Sequence, residues 1–110
     1  MESVLNSIKK MLGIEAEYTH FDPDIIIHIN SAFMTISQLG VGSEVPFITS
    51  DLETWEELFE NIKNIPAIKT YVYLKVRMLF DPPTSAFVME ALKSQATELE
   101  WRLNAQVDNK

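Results

Sequence analysis

The 110-residue chain contains no cysteine, only three glycines and only two histidines. Without cysteine, disulfides and thiolate metal sites are excluded, which fits a reducing compartment. Gly40 and Gly42 lack the lysine and the third glycine of a phosphate-binding loop. His20 and His28 have no partner at metal-ligand spacing. We therefore expect neither a metal nor a cofactor.

Long apolar runs and catalytic groupings are also missing. No apolar stretch approaches the roughly 18 residues of a membrane span, so no membrane partner is expected. Serine, histidine and aspartate all occur, but in no arrangement typical of a nucleophilic or acid–base site. We therefore predict that the protein is not an enzyme.

Positive charge is scarce and unevenly placed. Residues 1–64 hold eleven acidic and three basic residues, whereas residues 65–110 hold five and six, so the first part supplies the net charge of −7. An acidic field repels phosphate groups, which disfavours a protein that clamps nucleic acid. A need for solubility would explain the same charge.

The composition is that of an ordinary globular domain, with 46% hydrophobic and 23% charged residues. The hydrophobic spacing predicts an all-α bundle of about five helices, two long and three short, with a non-helical loop near residues 40–50. One domain is expected over residues 1–110, and residues 106–110 are expected to form a frayed tail.

The central helix is predicted within residues 65–83, because this segment has a nearly continuous apolar surface, and it is expected to end at Asp81-Pro82-Pro83. A helix with so little polar surface normally has neighbours on most sides. Its coherent polar strip includes Lys69, Tyr73 and Arg77, which we interpret as scaffold surface or a candidate subunit contact rather than an active site.

Four further helices are predicted, over residues 3–12, 22–39, 54–63 and 84–105. Ser3 is expected to be an N-cap, and Asp22 is expected to cap a helix that has Pro23 at its first position. Thr54, followed three residues later by Glu57, matches the capping-box pattern.

The most acidic face of the chain lies on the helix predicted at 54–63, and it consists of Glu53, Glu56, Glu57 and Glu60. Paired carboxylates can serve acid–base or metal chemistry, but no converging histidine or aspartate ligands are near. We therefore expect this face to be exposed to solvent.

Four large apolar residues fall outside the core stripes of their helices. Ile27 and Met34 lie opposite the core face of the second helix, as ordinary exposed residues or as contacts to a second surface. Phe87 and Trp101 lie on the outer side of the last helix, where they either pack under the N-terminal helix or contact another subunit.

Several segments resemble one protein family. Residues 68–77 have the sequence IKTYVYLKVR, followed by LFDPP at 79–83, which resembles a hallmark of the head–tail connector, or adaptor, proteins of long-tailed bacteriophages and prophages. Other segments resemble this family in the same order: 29–32 (INSA), 38–42 (QLGVG), 54–55 (TW) and 98–104 (ELEWRLN).

This resemblance implies a non-enzymatic virion protein at the head–tail junction, assembled in the cytoplasm of the bacterial host. Such proteins form a ring of about twelve copies below the portal protein. The ring extends the DNA channel, through which DNA passes without specific binding, and it docks a head-completion or tail protein. By position, the last helix and tail would approach the portal, and the 40–50 loop would face the channel or the next ring. The resemblance also makes candidates for the subunit or portal interface of Ile27, Met34, Lys69, Tyr73, Arg77, Phe87 and Trp101. It makes candidates for an acidic channel face of Glu53, Glu56, Glu57 and Glu60, which would otherwise face solvent.

Two other classes compete with this reading. A helical DNA-packaging or DNA-binding regulator would need a basic recognition helix. The basic strip of Lys69, Tyr73 and Arg77 lies on a helix that is predicted to be largely buried. A small enzyme would need a nucleophile or metal grouping, which the sequence does not indicate.

Overall fold

The computed structural model describes residues 2–42, 44–60 and 62–108, with side chains up to residue 105. In that part of the chain the helices are α1 (Val4–Met11), α2 (Asp22–Gln38), α3 (Trp55–Leu58), α4 (Ile65–Phe80) and α5 (Ala86–Asp108). The all-α prediction and the non-helical loop near 40–50 are confirmed. Three helices are long rather than two, because α2, α4 and α5 have 17, 16 and 23 residues.

Two predicted N-caps, at the starts of α1 and α3, are confirmed. Ser3 accepts a hydrogen bond from the Asn6 N–H at 3.2 Å. The capping box of α3 is complete, since Thr54 accepts from the Glu57 N–H and the Glu57 carboxylate accepts from the Thr54 N–H.

A predicted helix end and a predicted cap were wrong. The helix predicted over 54–63 ends at Leu58, because Phe59 leaves the helical region (φ −122°, ψ 38°) and places its ring 5.3 Å from that of Phe33. Asp22 does not cap α2; Phe21 is the N-cap residue, and the Asp22 carboxylate pairs with Lys9 instead. Residue 61 of the predicted helix lies outside the described residues.

At the C-terminus, α5 begins at Ala86 and continues to Asp108, past the predicted end at residue 105. The helix therefore includes part of the segment 106–110, for which fraying remains a prediction. Residues 109 and 110 lie outside the described residues.

The central position of α4 organises the bundle. Helix α4 contacts α1, α2 and α5. Its buried side chains are Ile68, Tyr71, Val72, Leu74 and Val76. The molecule measures 40 × 35 × 18 Å, so it is a slab less than two helix diameters thick, given a diameter of about 10 Å per helix. No described helix is both long and apolar enough to cross a bilayer.

Trp55 joins four helices in the core. Its side chain is fully buried, and its Nε1–H donates a hydrogen bond to Ser7 Oγ at 2.7 Å. Its ring lies edge-on to Phe33 of α2 and stacks on Phe59. The Lys69 ammonium of α4 lies 5.9 Å from the ring centroid. A buried indole whose N–H has a partner contributes both apolar area and a fixed orientation.

Lys9 is fully buried beside the start of α2. Its ammonium donates to the Ala16 carbonyl at 2.9 Å and lies 2.9 Å from Asp22 Oδ1. The second contact is an ion pair without hydrogen-bond geometry, since no donor is aligned with this oxygen. A buried ammonium requires such partners, because a charge left without them in the interior is costly.

The loop after α2 is tied to the bundle through side chains. Asn30 brackets Ile48, accepting from its N–H at 2.8 Å and donating to its carbonyl at 2.9 Å. Glu53 accepts from the N–H and hydroxyl groups of Thr49 and Ser50, at 2.9–3.2 Å. Burial acts to raise the pKa of Glu53, but these hydrogen bonds outweigh it and lower the pKa to about 2.

The second half of α5 is held by two polar contacts. The Tyr71 hydroxyl of α4 donates to Glu100 Oε2 at 2.7 Å. Burial, together with this hydrogen bond to a carboxylate, raises the pKa of Tyr71, so its phenol stays protonated as a donor. Asn104 Nδ2 donates to the Leu39 carbonyl at 3.1 Å, which fixes α5 against the end of α2.

Replacing Lys9 tests the buried ion pair. We expect Lys9→Met to lower the free energy of unfolding by about 2 kcal/mol, because Asp22 and the Ala16 carbonyl lose their partner. Urea unfolding measures the change. Arg102→Gln, which breaks the exposed Arg102–Glu98 contact of 2.8 Å, is the control and should cost no more than about 0.5 kcal/mol. An equal loss of unfolding free energy in the two variants would contradict the stabilising role given to Lys9.

Replacing Glu53 tests the carboxylate that holds the loop. Its pKa is lowered on folding, so its contribution to stability is present above about pH 4.3, the ordinary range of a glutamate, and is lost as the pH falls toward 2. We expect Glu53→Gln to be less stable than the wild type at pH 7, with the difference shrinking between pH 4.5 and 2. Urea unfolding at a series of pH values measures this. The same trend in the exposed Glu56→Gln variant would argue against the assignment.

Candidate interaction surfaces

The outer face of α2 carries exposed apolar side chains. Ile27 is 64% exposed, and Met34 is also exposed. They lie seven residues apart on one side of α2, opposite the face that contains Ile25, Ile29 and Phe33. We call Ile27 and Met34 the α2 face. The structure leaves it uncovered, and its role as a contact remains a prediction.

The outer side of α5 is more exposed still. Phe87 is 84% exposed and Trp101 is 71% exposed, so the N-terminal helix covers neither ring. In residues 86–95, only Met89 and Leu92 are even partly buried. The first half of α5 therefore extends from the bundle with little support from its own chain. We call Phe87 and Trp101, with this half of the helix, the α5 face.

The polar strip on α4 makes contacts inside the chain. Lys69 forms an ion pair with Glu2 in addition to its contact with the Trp55 ring. Arg77 donates to the Tyr73 hydroxyl at 3.1 Å. All three strip residues are partly buried. Much of their bonding capacity is therefore used within the subunit, and nothing in the structure brings the strip together with the α2 face or the α5 face as one site.

The four acidic residues near α3 do not share one environment. Glu53 and Glu57 accept hydrogen bonds that stabilise the loop and the start of α3. Glu56 and Glu60 are exposed. Glu53, Glu57 and Glu60 nevertheless line one open groove, whose other wall includes Glu44 and Phe47.

The loop over residues 44–52 adds an apolar surface that the sequence patterns did not reveal. Val45, Phe47 and Leu52 are exposed there, with Phe47 at 62%. Helical periodicity cannot identify such residues, because the segment has no helical period. A usable signal was the alternation of Val45, Phe47 and the buried Ile48 around Pro46, which is typical of an extended segment that faces the core on one side.

The described residues offer little that resembles a reaction site. They contain no group of three or more histidine, cysteine, aspartate or glutamate side chains able to hold a metal ion. His20 lies in an aromatic cluster, with its ring 4.8 Å from Phe21 and 6.2 Å from Tyr18. Exposed apolar side chains instead form three surfaces: the α2 face, the α5 face and the open groove beside α3.

Comparison with known proteins identifies a family for the chain. A family model described as phage connector protein matches residues 4–110. No match was found among curated proteins or among solved structures. The family match includes every segment in which a resemblance to connectors was noted, from INSA at 29–32 to ELEWRLN at 98–104. Because it covers nearly the whole length, the chain belongs to the phage connector protein family.

Proposed function

We propose that this protein is a structural subunit of the head–tail junction of a phage or prophage. Copies of it assemble into a ring of about twelve subunits below the portal protein. The ring extends the DNA channel and docks a head-completion or tail protein. The subunits are made in the bacterial cytoplasm and reside in the virion after assembly.

The observation that carries this proposal is the unsupported first half of α5. An isolated helix of about ten residues is marginal in water, and most helices gain their stability from packing. Here an exposed Phe87 lies on a segment that its own chain barely covers. Contact with a neighbouring protein would bury this segment and supply the missing packing.

Two different faces suit a closed ring. A head-to-tail ring needs one surface on each subunit that fits a second, different surface on the next subunit. The α5 face and the α2 face are two such apolar surfaces, on different helices. Buried aromatic residues at the centre of an interface commonly supply much of its binding energy. Phe87 and Trp101 are therefore the strongest candidates for the contact.

The charge is compatible with a channel rather than with DNA binding. The net charge of −7 opposes tight binding of a phosphate backbone. Glu56 remains exposed and could repel DNA that passes through a ring. The lysine of the α4 strip is paired with Glu2, which argues against a basic recognition helix and thus against a DNA-binding regulator.

Electron microscopy tests the proposal directly. The purified protein is mixed with portal rings from the same phage and imaged after separation by size. We expect an added ring of density below the portal. Portals without added density would reject the proposal. A salt-dependent shift of duplex DNA in a gel, at modest protein concentration, would instead support the DNA-binding regulator.

The α5 face can be tested with Trp101→Ala. Because Trp101 is 71% exposed in the subunit, we expect its free energy of unfolding to change by less than about 0.5 kcal/mol. Assembly on the portal should weaken by roughly tenfold or more, as expected for an aromatic residue at an interface. Urea unfolding and quantitative microscopy measure the two effects. Glu17→Gln, at an exposed position in the loop after α1 and outside the α2 and α5 faces, is the control and should assemble normally. A Trp101→Ala variant that unfolds, or one that assembles normally, would contradict the prediction.

A further inference from the structure

An open groove separates the loop after α2 from α3 and the segment that follows it. Its apolar lining includes Val45, Phe47, Leu58 and Ile62. Its acidic lining consists of Glu44, Glu53, Glu57 and Glu60. We call this the loop groove. It is distinct from the α2 and α5 faces, since no residue of those faces lines it.

The walls of the loop groove are held in place. Asn30 fixes Ile48 through both of its backbone polar groups, at the end of the loop wall. The Glu53 carboxylate fixes the turn at Thr49 and Ser50, and the capping box fixes the first turn of α3. A surface that is already ordered loses less conformational entropy when a partner binds.

The loop wall also presents unused binding groups. Residues 44–48 are neither helical nor strand-paired, and Val45 and Phe47 are exposed whereas Ile48 is buried. Among the described residues, no backbone hydrogen bond involves Val45 or Phe47. Exposed backbone groups of this kind can pair with an extended segment of another chain, while pockets between them accept alternate side chains.

The charge of the groove restricts its occupant. Four carboxylates and several apolar side chains line the groove, and the hydrogen bonds made by Glu53 favour its charged form. A nucleic acid or an acidic segment would be repelled. A second copy is poorly matched, because residues 65–110 carry a net charge of only +1 and residues 1–64 are strongly acidic.

We propose that the loop groove binds an extended, cationic segment of a different protein, with apolar side chains that alternate with lysine or arginine. The apolar side chains contact Val45 and Phe47, and the cations lie against the surrounding glutamates. The proposal rests on the docking role given above, for which it names the surface and the chemistry of the partner.

A short synthetic peptide provides the probe. The labelled peptide KVKVKVK is titrated with the isolated protein, and its fluorescence anisotropy is followed at low and at moderate salt. KSKSKSK keeps the charge without the apolar side chains, and EVEVEVE reverses the charge. We expect KVKVKVK to bind at least about fivefold more tightly than KSKSKSK, to weaken as salt rises, and EVEVEVE not to bind.

Variants locate the binding site. We expect Phe47→Ser and Glu60→Lys each to weaken binding of KVKVKVK by about fivefold or more, because one removes apolar contact and the other reverses a charge. Glu90→Lys makes the same charge change on α5, outside the groove, and should weaken binding by less than about twofold. Circular dichroism spectra that match the wild type show that each variant is folded.

Three results would overturn the proposal: no binding of KVKVKVK by the wild type, equal binding of KSKSKSK, or equal loss of binding in Glu90→Lys and Glu60→Lys. These titrations use the isolated subunit without a portal. Their failure is therefore distinct from failure of ring assembly, which the microscopy experiment measures.

Discussion

The burial of a single ammonium group constrains the N-terminal half of this molecule. Lys9 lies at zero exposure, and its charge is acceptable there only because the Ala16 carbonyl and the Asp22 carboxylate face it. That requirement holds α1, the loop after it and the start of α2 in one arrangement. With α1 in place, Ser7 meets Trp55, and α3 and the preceding loop are joined to the core. The polar contacts of Lys9 and Ser7 thus help to fix how α1, α2 and α3 pack against one another.

Helix positions were largely predictable, because they depend on local periodicity and caps. The capping box at Thr54 and the central helix at 65–80 are such local features. The role of Lys9 was not predictable in this way: its partners lie 7 and 13 residues further along the chain, and only the folded structure brings them together. The early end of α3 has a similar cause, because Phe59 leaves the helix to join the cluster with Phe33 and Trp55.

The candidate surfaces also differ in whether local periodicity was enough to predict them. Ile27, Met34, Phe87 and Trp101 lie off the core stripes of their helices, and the structure leaves all four exposed. Lys69 has partners that tertiary folding supplies, since Glu2 and Trp55 are distant in sequence. Val45 and Phe47 were missed because their segment has no helical period, and only the alternation of an extended chain could have assigned them to one side. Periodicity identifies side chains that a helix cannot bury, but it does not predict how a loop is placed.

The two halves of α5 differ in how they are attached to the rest of the molecule. Glu100 and Asn104 bond to α4 and to the end of α2, whereas residues 86–95 rely mainly on the hydrogen bonds of the helix itself. Local opening needs little free energy where few tertiary contacts must break. The free energy of local opening should therefore differ between the two halves of this one helix. The amide protons near Phe87 should exchange with solvent through local opening that leaves the second half of α5 and the core folded.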